Sequence, residues 1–171
     1  MNGRSEARLA RPRHVLHIRG TPIATVLLGS MLPALLPIVA QAPLLPPFGF
    51  MIFIAWRLLR ADIWPLWIGL PLGLFDDIMS GQPIGSAVLL WTIVLLGFEV
   101  ESQRHFWRDY RHDWLSASVA IAFVLFGGWL FVWASGHGGP AIQILPQIAI
   151  GIGLFPFVVR ICAVLDRWRL P

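Results

Sequence analysis

The feature that most constrains the fold is a succession of long apolar runs separated by short polar or proline-containing breaks. Hydrophobic residues make up 57% of the 171 residues and charged residues 13%, whereas soluble domains carry about 25% charged residues. This balance predicts an all-α integral membrane protein. The runs predict a bundle of six transmembrane helices, at 21–41, 46–59, 63–79, 84–98, 115–134 and 141–165.

The basic residues, all of them arginine, predict the sidedness of these helices. With the N-terminus in the cytoplasm, every arginine lies in or beside residues 1–20, 57–62, 99–114 or the C-terminal tail. The three connections expected outside lie near residues 42–46, 80–83 and 135–140. They hold no Arg or Lys, and they are short and poor in hydrogen-bonding side chains. The positive-inside rule therefore predicts a multi-pass membrane protein with both termini cytoplasmic.

The composition indicates one membrane domain flanked by two tails. We expect a basic cytoplasmic tail over 1–20, the six-helix domain over 21–165 and a short cytoplasmic tail over 166–171. The N-terminal tail lacks the features of a cleavable signal peptide and is expected to touch anionic lipid headgroups. Most of the nine tryptophans are expected at the membrane interfaces. Because the arginines follow the ends of the apolar runs, we expect no binding of nucleic acid.

The adjacent carboxylates Asp76 and Asp77 are the most distinctive polar groups, because charge at membrane depth costs about 2.5–3.5 kcal/mol on insertion scales. They are expected in the last outward turn of the third helix, pointing about 100° apart. Three interpretations remain open. They could fix the following turn by hydrogen bonding, with Gly81 as a left-handed cap and Pro83 starting the next helix. They could form a docking surface, or they could bind a metal or act as acid and base, for which partner carboxylates are missing.

The segment 73–85 reads Gly-Leu-Phe-Asp-Asp-Ile-Met-Ser-Gly-Gln-Pro-Ile-Gly. It resembles the signature of the rod shape-determining protein MreD family, Gly-Leu-apolar-x-Asp-apolar-apolar-Ser/Thr-Gly-x-Pro-Leu-Gly. Ile84 stands in the Leu position, and Asp76 falls on a variable one. The motif and partner-docking residues are Gly73, Asp76, Asp77, Ser80, Gly81, Pro83 and Gly85. The long Arg-rich N-terminus and the charged 99–114 loop depart from the family.

The resemblance implies a non-enzymatic inner-membrane component of the bacterial cell-elongation (rod) complex, which maintains cell shape. Its direct partner would be an MreC-like bitopic membrane protein. Through that partner it would couple an MreB-like actin homologue to peptidoglycan synthesis by a RodA-like glycosyltransferase and a penicillin-binding transpeptidase. The implied fold is a six-helix bundle similar to the substrate-binding subunits of energy-coupling-factor transporters. The resemblance implies no catalytic residue, cofactor or metal.

The same fold supplies an alternative function, because a small vitamin-binding subunit of a membrane transporter would show similar hydropathy and sidedness. Such a subunit needs an outward-facing pocket with convergent polar or aromatic groups. The outer connections of this chain do not resemble a lid over such a pocket. The sequence therefore favours the elongation component and keeps the binding subunit as the alternative.

Overall fold

The computed structural model describes residues 11–35, 45–104 and 110–169, and over these ranges the chain is helical with no strand. The six α-helices are α1 (Arg11–Leu35), α2 (Phe48–Leu59), α3 (Gly69–Ser80), α4 (Ser86–Arg104), α5 (Tyr110–Ala134) and α6 (Ile144–Arg169). Short 3₁₀ turns, Leu66–Ile68 and Ala141–Gln143, lead into α3 and α6. The predicted all-α fold with six helices is confirmed, whereas several predicted boundaries are wrong.

The two predicted polar segments contain more helix than expected. Helix α1 already begins at Arg11, inside the predicted tail 1–20, and α4 and α5 extend into the predicted loop 99–114. The residues at these helix ends include Glu, Gln and Arg, which have high helix propensity although they are polar. A hydrophobic run therefore marks where a helix is apolar and not where it ends. Residues 1–10 and 105–109 lie outside the described residues.

Helix α3 is shorter than the predicted helix 63–79. Pro65 disfavours helical backbone at the residue before it, so the helix cannot begin at residue 63. The 3₁₀ turn follows Pro65, and α3 begins only after that turn. The 12 residues of α3 span about 18 Å at roughly 1.5 Å per residue. The predicted place of the aspartate pair at the end of the third helix is confirmed, because α3 ends at Ser80 and carries both carboxylates near its C-terminus.

The core is built around aromatic side chains between α2 and α4. Trp91 lies 4.9 Å from Phe53 and 5.5 Å from Phe50 between ring centroids, and Trp64 stacks on Phe53 at 5.3 Å. Trp56, also fully buried, donates its indole N–H to Thr25 Oγ1 of α1 at 3.0 Å. The expectation of interfacial tryptophans is therefore wrong for Trp56, Trp64 and Trp91, which pack inside the protein.

Ion pairs gather at the end of the molecule where α2, α4 and α6 terminate and α5 begins. Arg57, almost fully buried, donates to Glu99 at 2.8 Å and to the carbonyl of Ala61 at 2.5 Å. Arg60 pairs with Asp166 at 3.0 Å and joins α2 to α6. A buried guanidinium needs such partners, because leaving it unpaired would be strongly destabilising.

Large apolar side chains also cover much of the outer surface. Two of the described helical segments, Arg111–Ala134 and Ala141–Trp168, are long and apolar enough to cross a membrane. In their most apolar windows only 28% and 22% of the residues are buried within the protein. The apolar segments Gly20–Leu35 and Phe48–Leu59 are shorter.

Candidate functional site

The site begins with Asp77, whose carboxylate is 1% exposed near the C-terminus of α3. Its Oδ1 accepts hydrogen bonds from the Ser86 hydroxyl and the Ala87 backbone N–H, both at 2.8 Å. Its Oδ2 accepts the Gly85 backbone N–H at 2.7 Å. A single side chain from α3 therefore serves three donors at the start of α4.

This arrangement follows from the chemistry of a helix N-terminus. The first N–H groups of a helix have no carbonyl partner within the helix and together carry partial positive charge. A carboxylate placed there satisfies these donors and is stabilised by them. The structure thus gives Asp77 the hydrogen-bonding role of the first sequence interpretation: it caps α4 and fastens α4 to α3.

Glycines shape the turn that brings the carboxylate to α4. Gly81 ends α3 with a φ of 69° and Gly85 has a φ of 99°, a region that side-chain-bearing residues rarely adopt. The predicted left-handed cap at Gly81 is confirmed. The prediction that Pro83 starts the next helix is wrong, because α4 begins at Ser86, whose N–H donates to the Pro83 carbonyl at 3.0 Å.

Gly73 allows α3 and α4 to approach closely one turn below the capping carboxylate. A Cβ at this position would lie 2.7 Å from both the Cα and the N of Val88. Both Val88 atoms belong to the backbone, so they cannot rotate away from an added Cβ as a side chain could. The absence of a side chain at Gly73 therefore sets the spacing at which Asp77 reaches the first turn of α4.

The neighbouring carboxylate, Asp76, lies on a different face and is only partly buried. It approaches α1 and α2: the Ser30 hydroxyl lies beside it, outside hydrogen-bonding geometry, and a Cβ on Gly49 would be 3.1 Å from Asp76 Oδ1. The predicted divergence of the two side chains is confirmed. Asp76 does not share the hydrogen bonds of Asp77, and Ser80 is exposed.

Asp76 faces a cleft of about 800 Å³ to which all six helices contribute. The polar side chains on its wall are Ser30, Asp76, Ser80, Gln82, Gln143 and Gln147, and its aromatic members include Trp91 and Trp129. Sequence reasoning missed the glutamines. The sequence feature that could have indicated them is the spacing of Gln143 and Gln147, which are four residues apart and therefore on one helical face. They lie next to the connection 135–140, which the sequence predicts to be poor in hydrogen-bonding side chains.

The remaining candidate groups do not join this cleft. His137 is exposed, and its Nδ1 lies 2.9 Å from the Ser135 carbonyl oxygen. Cys162 is buried as a free thiol in α6. Over residues 11–35, 45–104 and 110–169, no three His, Cys, Asp or Glu side chains are grouped so that they could hold a metal ion.

Comparison of the chain with protein families, curated proteins and solved structures finds no match. The geometry of the site and the residues of the 73–85 segment therefore carry the functional argument.

We predict that Asp77→Asn lowers the stability of the protein more than Asp76→Asn does. An asparagine amide keeps one acceptor oxygen and turns an NH₂ group toward a donor of α4. Leaving a buried donor without its acceptor costs about 1–3 kcal/mol. Thermal unfolding of the purified variants in detergent measures the difference. Equal midpoints for the two variants would show that the cap does not hold α3 to α4.

A second prediction concerns the close approach at Gly73. Gly73→Ala forces the backbones of α3 and α4 apart and should cost about 1–3 kcal/mol, as overpacking does. Gly97→Ala is the matched control, because a Cβ at Gly97 meets nothing within 4 Å and alanine favours a helix interior. The control should unfold at or above the wild-type temperature. Equal unfolding temperatures for the two variants would show that Gly73 does not set the spacing of α3 and α4.

Proposed function

We propose that the protein is a multi-pass membrane protein whose six helices form its membrane domain. The apolar exterior supports this placement. Val119 of α5 is 64% exposed, and Phe157 and Ile161 of α6 are 60% and 61% exposed. Soluble proteins rarely leave apolar patches of this extent in contact with water, whereas lipid chains accept them without cost.

The charge distribution supports an inner-membrane orientation with cytoplasmic termini. The paired arginines Arg57 and Arg60 lie at the end where α2 terminates. The opposite end, with the α3–α4 turn and residues 135–140, has no Arg or Lys in its sequence. Under the positive-inside rule, the end that carries the ion pairs faces the cytoplasm and the α3–α4 turn faces outward.

This topology can be checked with single-cysteine variants in a Cys162→Ala background. A membrane-impermeant maleimide should label His137→Cys in intact spheroplasts and Ser102→Cys only after the membrane is opened. Both sites are exposed, so failure to react reports sidedness and not burial. Labelling of Ser102→Cys in intact spheroplasts would overturn the orientation.

Within the membrane, we propose the role that the MreD-like segment implies: a non-enzymatic component of the cell-elongation complex. The observation that carries this proposal is that residues 73–85 act as one structural unit. Gly73 sets the helix spacing, Asp77 caps α4, and Gly81 and Gly85 shape the turn. A motif used in this way fixes the conformation of a surface turn, which is what a docking element requires.

The exposed members of the same segment supply an apolar contact surface. Ile84 is 79% exposed and Ile78 is 59% exposed, both adjacent to the capped turn. A rigid apolar projection suits recognition by another membrane or periplasmic protein, because little conformational entropy is lost on binding. The proposed direct partner is the MreC-like bitopic protein, and the MreB-like filament and the peptidoglycan synthases would be reached through it.

We predict that Ile84→Asp abolishes co-purification with the MreC-like partner while leaving abundance and thermal unfolding unchanged. An aspartate on the lipid-facing surface, as in Val119→Asp, would be costly in lipid, so that variant is unsuitable as a control. Ile84→Val retains an apolar contact at the same position. It is therefore the matched control and should keep the partner. In host cells depleted of the protein, wild type and Ile84→Val should restore the rod shape and Ile84→Asp should leave cells rounded. Normal rods with Ile84→Asp would contradict the docking role.

The cleft favours a second candidate function, a small-molecule binding subunit of a transporter. Its volume lies in the range of about 300–1,000 Å³ found for ligand sites, and several polar side chains line it. This second proposal includes a fold similar to that of the substrate-binding subunits of energy-coupling-factor transporters. Depletion that leaves rods intact but creates a requirement for a vitamin would favour the transporter subunit over the elongation component.

A further inference from the structure

Two arginines of α6 point away from the rest of the bundle. The buried residues of this helix include Phe155, Val158 and Cys162, whose spacing of three or four residues places them on one side of it. Arg160 and Arg167 are both exposed. Because a helix turns about 100° per residue, these two arginines share one side of α6, and it is the side opposite the buried residues.

Neither of these guanidinium groups forms an ion pair with a described residue. Asp166 is the only carboxylate of α6, and it accepts a hydrogen bond at 3.0 Å from Arg60 Nε of α2. The other ion pairs between described residues join α2 to α4 and α4 to α5. The charges of Arg160 and Arg167 are therefore available to a molecule outside the bundle.

The length of α6 relates these arginines to the cytoplasmic surface of the membrane. Counted from Ile144, where α6 begins, a helix crosses a hydrocarbon core of about 30 Å in about 20 residues, which places the cytoplasmic boundary near Val164. Arg160 then lies about one turn inside this boundary and Arg167 about one turn beyond it. An arginine just inside the boundary extends its side chain toward the headgroups, so both guanidinium groups can reach the headgroup layer.

The exposed neighbours of the two arginines are apolar or aromatic. Ile161 is 61% exposed, Val164 49% and Trp168 86%. Tryptophan favours the headgroup level of a membrane, and the aliphatic side chains suit acyl chains. A guanidinium group binds a phosphate through two parallel hydrogen bonds. This face of α6 therefore combines groups that fit both parts of a phospholipid.

We propose that the face formed by Arg160, Val164, Arg167 and Trp168 binds the headgroup of an anionic phospholipid in the cytoplasmic leaflet. The two guanidinium groups favour a headgroup with net negative charge over a zwitterionic one, because the ammonium of a zwitterion would meet like charge. A second copy of the chain packed on this face about a two-fold axis would likewise bring like charges together. The proposal rests on the membrane placement and orientation proposed above and is independent of the elongation role.

The test measures which phospholipid the full-length protein retains. After release from nanodiscs with equal amounts of phosphatidylglycerol and phosphatidylethanolamine, wild type should carry mainly phosphatidylglycerol in native mass spectrometry. The double variant Arg160→Gln/Arg167→Gln should lower the ratio of the two retained lipids about tenfold or more, because each arginine near an anionic lipid surface contributes about a fivefold preference. The double variant Arg160→Lys/Arg167→Lys keeps both charges and should keep most of the preference.

Arg111→Gln is the matched control, because it removes an exposed arginine from the first turn of α5 and changes the net charge in the same sense. It should retain phosphatidylglycerol as wild type does. A loss per arginine as large as that of the double variant would indicate diffuse attraction by all the cytoplasmic charges and would overturn the site on α6. Equal retention of the two phospholipids by wild type would also overturn it.

Failure of the membrane placement has a different readout. A chain that stays in solution without detergent or lipid would contradict the placement itself, whereas an embedded chain without lipid preference contradicts only the headgroup site. Loss of partner capture by Ile84→Asp is a third, separate measurement, so the elongation role and the headgroup site fail independently.

Discussion

The fold depends on one carboxylate at the start of one helix. Asp77 reaches from α3 and satisfies the donors that α4 would otherwise leave unpaired. The contact joins two helices in a region where Gly73 has already brought their backbones together. Because buried donors are costly when unsatisfied, the turn between the helices has little freedom. The orientation of Ile84 and the position of Asp76 both follow from that restraint.

Two identical neighbours in the sequence therefore have different roles. A helix directs consecutive side chains about 100° apart, so Asp77 points to α4 and Asp76 to α1 and α2. The first is fully paired within the protein, and the second is not. This separation lets a single helix end contribute both a structural restraint on α4 and a polar group on the wall of the cleft.

The number of helices and the turn at Gly81 could be predicted because their signals are local: apolar runs, and glycine where φ must be positive. The ends of α4 and α5 could not, because charged residues after an apolar run continue a helix as readily as they end it. The burial of Trp91 depends on Phe50 and Phe53 from another helix. The placement of Gln143 and Gln147 on the wall of the cleft that Asp76 also lines likewise requires the tertiary arrangement, which no local pattern contains.

The distribution of ion pairs has a mechanical consequence. Arg57–Glu99 and Arg60–Asp166 cross-link α2 to α4 and α6 at one end of the bundle, while the described cross-links at the end that holds the cleft are hydrogen bonds, among them the Asp77 contacts and the bond from Gln147 to the Leu45 carbonyl. Stiffness is therefore unequal along the bundle axis. We expect the helices to move apart more at the end with the cleft than at the end with the ion pairs. Thermal motion should therefore widen the cleft while the end with the ion pairs keeps its geometry.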